Sequence, residues 1–290
     1  MINLKRRFGG FMKYNNYDNN TLKHLQKLEL MILKDFIQIC EDNNINYFMC
    51  GGSLLGAIRH GGFIPWDDDV DVIMLRPDYE KFVEIYNKHP LEKYDLLTPE
   101  NTTDYFLLFS KLVLNGTKFE EWWDKQVNFN LGIFMDIFIL DTAPNNKIIQ
   151  KLHIYKVRIL NRLISISTLK YENYPKMTQI IVNSLHSIFK FLKISPNYFK
   201  KKTIKLLKKY EDTNSNYVFD VAATLFPPIH LKNDYMPPKK IKFEDTIVNI
   251  PNNYKAILKR TYGDNYMTLP PKEERYNHIT YNLDFGIYKK

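Results

Sequence analysis

The sequence predicts an α/β (α+β) fold, a mixed β-sheet flanked by helices with a basic helical segment inserted into it. Three observations carry that prediction. Short apolar runs bounded by glycines, prolines or acids have the length and patterning of strands; amphipathic stretches of helical period lie between them; and residues 147–210 differ in charge from the rest of the chain.

In chain order, Met1 to about residue 20 is a basic and polar extension, with Lys5, Arg6 and Arg7 but without the sustained apolar core of a signal peptide. Leu25, Leu28, Ile32, Phe36, Ile39 and Cys40 recur at helical spacing, so residues 21–42 form an amphipathic helix packed on the sheet. Tyr47–Cys50 reads as a buried strand, Gly51-Gly52-Ser53 as a sharp turn, and Leu54–His60 as a short helix. Asp69–Leu75 is a second strand, and Pro77 suits the first turn of a helix running to about Asn87. Further strands are expected at Tyr94–Leu97, Phe106–Leu114 and Gly132–Leu140. His153–Leu169, Lys176–Lys193 and Lys200–Tyr210 alternate apolar residues and lysines at helical intervals. After Pro237-Pro238 comes a hydrophobic return strand, Ile241–Ile250, and a helix at Asn252–Tyr262 that stops at Gly263. The expected organisation is an extension over 1–20, a catalytic core over 21–146, a basic helical subdomain over 147–235 and a closing block over 236–290.

The chemistry concentrates between Cys50 and Val72. A glycine turn before a short helix lets backbone N–H groups approach and face bound phosphate, with the Ser53 hydroxyl as a further donor. On a strand, Asp69 and Asp71 point the same way while Val70 and Val72 pack inward. Two adjacent carboxylates repel unless a cation lies between them, and hard oxygen ligands suit Mg²⁺ or Mn²⁺. The segment therefore reads as a metal-dependent phosphate-transfer site.

Asp136 lies within the apolar run Leu131–Leu140, where an unpaired charge would cost several kcal/mol, so it needs either a basic side chain or a metal as partner. Asp141, at the end of that run, is expected to be an ordinary turn residue.

A chain of 290 residues buries a substantial core, and Cys40 and Cys50 are its two cysteines, without metal-ligand spacing, which excludes a cysteine zinc cluster and gives no sign of a disulfide framework. No apolar run approaches the length of a membrane span, so a cytoplasmic location is expected. Residues 147–210 hold 15 Lys or Arg against one acid, Glu172, a net +14, so the remainder of the chain sums to −5 of the formal +9. Basic amphipathic helices suit an anionic membrane surface, which would make the protein peripheral on the inner face; a helical subdomain with a solvated basic face is the alternative. No nucleic-acid-binding motif accompanies the charge, so nucleic acid is not expected as a partner.

Gly51–Asp71, Gly132–Asp141 and Tyr254–Pro271 resemble the three signature blocks of the LicD family, which includes bacterial phosphocholine transferases and is related to the fukutin-type transferases. The resemblance covers roughly residues 22–141 and 243–281 and implies the nucleotidyltransferase-superfamily fold. It places Asp69 and Asp71 as paired metal carboxylates, Gly52 and Ser53 as the Gly-Ser turn, and Asp136 as the third carboxylate. Arg59 fits a diphosphate clamp or, alternatively, a surface arginine on a short helix. Pro270–His278 resembles the family's closing Pro-Pro-acid-Arg-His pattern, so Arg275 and His278 could reach the donor's phosphate or base.

The implied reaction is transfer of phosphocholine, or a similar alcohol phosphate, from a CDP-activated donor such as CDP-choline to a sugar hydroxyl of a glycan acceptor, itself lipid-linked in one version, with release of CMP. Trp66, Trp122 and Trp123 are available for an aromatic cage around a quaternary ammonium, although with 14% aromatic residues most rings must be core. Two other classes stay open: a nucleotidyltransferase releasing pyrophosphate, and a non-catalytic membrane-surface adaptor.

Overall fold

A computed structural model describes residues 17–103, 105–121, 129, 131–171, 174–222, 228–275, 277 and 280–289. The first helix, α1 (Asn19–Asp42), begins where Asp18 accepts hydrogen bonds from the backbone N–H groups of Asn20 and Thr21, the standard N-cap arrangement. Its buried face is Leu22, Leu25, Leu28, Glu29, Ile32, Leu33, Phe36, Ile37 and Cys40; of the predicted stripe, Ile39 alone is only half-buried.

The next elements are β1 (Phe48–Met49), α2 (Gly51–Arg59), β2 (Asp71–Leu75), α3 (Arg76–Lys88), β3 (Tyr94–Leu97), β4 (Ser110–Leu114), β5 (Lys118–Glu121) and β6 (Phe134–Ala143). They are followed by α4 (Lys147–Thr168), α5 (Lys176–Phe191), α6 (Pro196–Leu207), β7 (Tyr217–Phe219), β8 (Ile229–Leu231) and α7 (Lys232–Tyr235). The chain closes with β9 (Lys239–Phe243), β10 (Thr246–Ile250), α8 (Tyr254–Tyr262) and β11 (Thr280–Asp284).

The mixed α/β architecture is present. The main sheet runs β1-β2-β6-β4-β3, with β7 on β6 and β8 on β7. Within it β2 and β6 are parallel, and the other neighbours are antiparallel. All ten residues of β6 are buried, as its unbroken apolar run requires of a central strand. The main core joins α1, the sheet, α2 and α3; a second, smaller cluster around Val157, Ile164, Phe199, Leu207 and Phe219 holds α4 and α6 against the sheet's far end.

Four local differences from the sequence reading have physical causes. Gly51-Gly52-Ser53 is the first turn of α2 itself rather than a turn ahead of it. The return strand is a hairpin, β9 and β10, reversing at Glu244-Asp245, a turn without glycine in which Glu244 takes φ +51°. β7 and β8 lie inside the basic segment yet extend the main sheet. β5 and β11 pair across more than 150 residues of sequence, too distant for local patterning to reveal.

Candidate active site

The N-terminus of α2 and the start of β2 are packed together by the two glycines. A Cβ on Gly51 would come within 3.1 Å of an Asp71 carboxylate oxygen, and one on Gly52 within 2.5 Å of an Asp67 oxygen. Gly51 also has φ +53°, a conformation that side chains rarely adopt. Two carboxylates thus stand against the positive end of the helix, where unpaired N–H groups and the dipole favour negative charge. The buried Ser53 joins the two elements: its Oγ accepts the Asp71 N–H at 2.8 Å, and a hydroxyl used that way still has its own hydrogen to donate. The Asp71 carbonyl in turn accepts the Cys50 N–H at 3.2 Å.

Strand register then sets three charged residues in one row. Asp71 on β2 is the direct partner of Asp136 on β6, and Asp136 is the direct partner of Lys111 on β4, so all three side chains share a face of the sheet. Lys111 Nζ lies 2.6 Å from Asp136 Oδ1 and 3.3 Å from the centre of the Phe134 ring. Of the two partners that Asp136 required, the structure supplies the basic one. Asp71, Asp136 and Lys111 are each at most 5% exposed, so their mutual placement is held by packing on all sides.

Asp69 precedes β2 in the extended lead-in and is buried. The period-2 alternation of this lead-in separates its acids into two environments. Tyr262, at the end of α8, has its phenol pKa raised first by burial and then by Asp67, Asp71 and Asp69. Tyr17, before α1, has its phenol raised first by burial and then by Asp68. Asp67, Asp69 and Asp71 therefore lie around Tyr262, and Asp68 lies beside Tyr17. The Cys50 thiol is also pushed well up, by burial first and then by Asp71, Asp220, Asp136 and Asp69. Asp220, which follows β7, is raised by burial to about 7.

The oxygens available to a hard divalent cation are those of Asp67, Asp69 and Asp71. Among the described residues no group of three His, Cys, Asp or Glu side chains forms a ready-made metal cage. That donor set fits Mg²⁺ or Mn²⁺, which bind through one or two carboxylates and take their remaining oxygens from water and phosphate.

At the other end of α2, Arg59 donates from Nη1 to the carbonyls of Tyr266 and Thr268 at 3.0 and 3.3 Å, tying α2 to the segment after α8. Arg275 donates to the Pro270 carbonyl at 3.0 Å and lies over the Trp66 ring at 4.7 Å. Burial, partly opposed by Tyr262 and reinforced by Arg275, lowers the pKa of Arg59, so the two guanidinium groups feel one another. The structure thus brings Gly52, Ser53, Arg59, Asp69, Asp71, Asp136 and Arg275 into one region. His278, Trp122 and Trp123 lie outside the described residues.

Sequence reasoning missed Lys111, Asp67 and Tyr262. A lysine inside the apolar run Ser110–Leu114 was a usable signal for the first, since a buried cation demands a buried anion. Asp141 is corrected: it is no turn residue but part of β6, 1% exposed, and accepts from Arg76 Nε and Nη2 at 2.8 and 3.0 Å.

Comparison with known proteins gives a consistent result. Residues 44–162 match the nucleotidyltransferase domain shared by LicD, FKTN and FKRP. The chain is 32% identical over 266 residues to the lipopolysaccharide cholinephosphotransferase LicD of Haemophilus influenzae, spanning 89% of this chain and 96% of that protein. A 36-residue stretch is 53% identical to the human ribitol 5-phosphate transferase FKRP, 12% of this chain and 7% of that protein. A 54-residue stretch is 43% identical to an uncharacterized protein of Rickettsia typhi, covering 19% of this chain and 18% of that protein.

Proposed function

The chain belongs to the LicD family, and from that premise we propose that it transfers phosphocholine, or a similar alcohol phosphate, from a CDP-activated donor to a sugar hydroxyl of a cell-surface glycan precursor, releasing CMP. The observation that carries this reading is the row Asp71–Asp136–Lys111 set against the glycine-built N-terminus of α2. Carboxylates, a cation and the backbone N–H groups of a helix start, gathered in one place, are the elements that phosphate transfer needs.

In this reaction Asp69 and Asp71 would hold Mg²⁺ or Mn²⁺, with Asp67 beside them. The cation, when bound, supplies charge neutralisation at the donor's diphosphate. The first-turn N–H groups of α2 and the Ser53 hydroxyl orient the phosphate oxygens, and Arg59 and Arg275 hold the nucleotide end of the donor. Lys111 orients the Asp136 carboxylate, which accepts the proton of the acceptor hydroxyl. That oxygen forms its bond to the distal phosphorus, the phosphorus–oxygen bond to CMP breaks, and CMP leaves with the electron pair. Tyr262, kept protonated by burial and by Asp67, Asp71 and Asp69, sets a neutral ring beside the carboxylates.

Thermal unfolding with CDP-choline, CDP-ribitol, CDP-glycerol and CTP, each with and without Mg²⁺, tests the reading. A donor at about 100 times its dissociation constant stabilises by roughly 2.7 kcal/mol. The expected result is a Mg²⁺-dependent shift with CDP-choline that disappears in Asp71→Asn. A shift with another CDP-alcohol alone replaces the transferred group. Preference for CTP, with pyrophosphate as product, replaces the reaction, and no shift with any nucleotide rejects the enzyme.

A further inference from the structure

We propose that the exposed apolar stripe of α4, supported by that of α5, docks this protein onto an anionic membrane surface. The α4 stripe consists of Ile148, Leu152, Tyr155 and Ile159, spaced four, three and four residues apart and therefore on one face. These four side chains are 72%, 55%, 63% and 44% exposed. The opposite face, with His153, Val157 and Ile164, is buried against the second core. α5 repeats the pattern: Met177, Ile181, Ile188 and Phe191 are exposed, Phe191 to 85%, while Val182 is buried.

Exposed apolar residues in such number are not ordinary surface. What borders them identifies the occupant. Lys151 and Arg162 flank the α4 stripe on one side and Lys156 on the other by helical spacing, and all three are exposed. Their long side chains can reach outward from an apolar face toward a charged layer, the arrangement that interfacial helices use. Neither α4 nor α5 contains an acid, and residues 147–210 carry a net +14. A second copy of the chain is the wrong partner, because that contact would bring two such charges together. An anionic lipid surface supplies both an apolar layer and the opposite charge. No helix among the described residues is long and apolar enough to cross a membrane, so the contact is lateral. The docking stands on these faces alone; joined to the proposed reaction, it would hold the enzyme at the surface that carries a lipid-linked acceptor.

Sedimentation of the full chain with phosphatidylcholine vesicles, with and without phosphatidylglycerol, tests this without any donor or acceptor. The wild type is expected to bind the anionic vesicles and lose them at high salt, where the Debye length contracts from about 10 Å at 0.1 M to about 3 Å at 1 M. Lys151→Gln with Lys156→Gln should weaken binding by about fivefold per residue. Leu152→Ser with Tyr155→Ser and Ile159→Ser should weaken it by about a hundredfold or more. Thermal midpoints close to wild type would establish that both variants are folded, and the lysine pair, being exposed, keeps the test valid if the serine variant unfolds. Failure of the wild type to bind anionic vesicles, or unchanged binding by folded variants, overturns the proposal. So does a wild-type dimer in sedimentation equilibrium that the serine variant dissolves. None of these outcomes depends on CDP-choline binding, so docking and reaction can fail separately.

Discussion

The sheet around Asp71 and the helices after Ala143 use charge in opposite ways. In the sheet and at the start of α3, charged side chains are buried and bonded: Lys111 to Asp136 at 2.6 Å, and Arg76 to Asp141 at 2.8 Å. In α4 and α5 it is the apolar residues that are exposed, between lysines that face solvent. Buried pairs in a low dielectric demand fixed geometry, which suits a site that must position phosphate to within a fraction of an ångström. Exposed stripes bordered by one sign of charge impose no such geometry and suit a broad, soft surface. The same residue types therefore act as positioning groups in one region and as surface chemistry in the other.

The largest break of this contrast is expected at Asp71. Asp71→Asn should lower donor turnover by about 10²- to 10⁴-fold while leaving the thermal midpoint near wild type, read by CMP release. Lys151→Gln with Lys156→Gln, measured alongside with a water-soluble acceptor, should keep wild-type turnover. A large loss in that surface variant would erase the distinction between the two regions.

Next in size is the buried pair at the far end of β6. Arg76→Ala leaves Asp141 buried without its counter-charge and should cost about 3–5 kcal/mol in urea unfolding. Arg76→Met combined with Asp141→Leu should recover most of that loss, because removing both charges also removes their desolvation cost.

Acid–base titration sharpens the comparison at the seam and in the insert. Burial raises Asp220 from the ordinary 3.8 to about 7. The native state therefore binds a proton that the unfolded chain has released, and stability falls as pH rises from about 4 to 7, by up to ~4 kcal/mol. Asp220→Asn should flatten that slope. His153 in α4 moves oppositely: burial, then Lys209 and Lys156, lowers its pKa from 6.5 to about 4, and its Nε2 has no hydrogen-bond partner among the described residues. The unfolded chain binds the proton first, so stability is lost as pH falls from about 6.5 toward 4, by up to ~3 kcal/mol, and His153→Gln should remove that loss. Hydrogen exchange resolved by segment would locate the acid-induced opening in the insert.

The smallest expected effect is at Gly52. Gly52→Ala places a methyl group 2.5 Å from an Asp67 oxygen, the movable end of a side chain, so the carboxylate shifts and stability changes by about 1 kcal/mol or less. Turnover should drop more than stability, because the displaced group lies beside the site.

Much of this molecule was legible locally. The stripe of α1, the alternation that gives Asp69 and Asp71 one face, and the need of Asp136 for a partner all follow from helical or strand period and from the cost of buried charge. Lys111 was harder. It stood in a predicted strand, but the sequence does not say that this strand lies beside the one carrying Asp136. Arg76 and Asp141 are 65 positions apart and meet because β2 and β6 are parallel neighbours. The β9–β10 hairpin was read as one strand because Glu244-Asp245 carries neither the glycine nor the proline that usually marks a reversal.

The sequence by itself determined which residues are amphipathic, where the backbone can approach a carboxylate closely, and that net basic charge is concentrated in residues 147–210, since each depends on neighbours within a few positions. Only the tertiary structure decided that Asp71, Asp136 and Lys111 form a row and that one face each of α4 and α5 stays uncovered. Those outcomes depend on strand order and packing between distant segments, where hydrogen-bond registry and the burial of apolar area act on the whole chain at once.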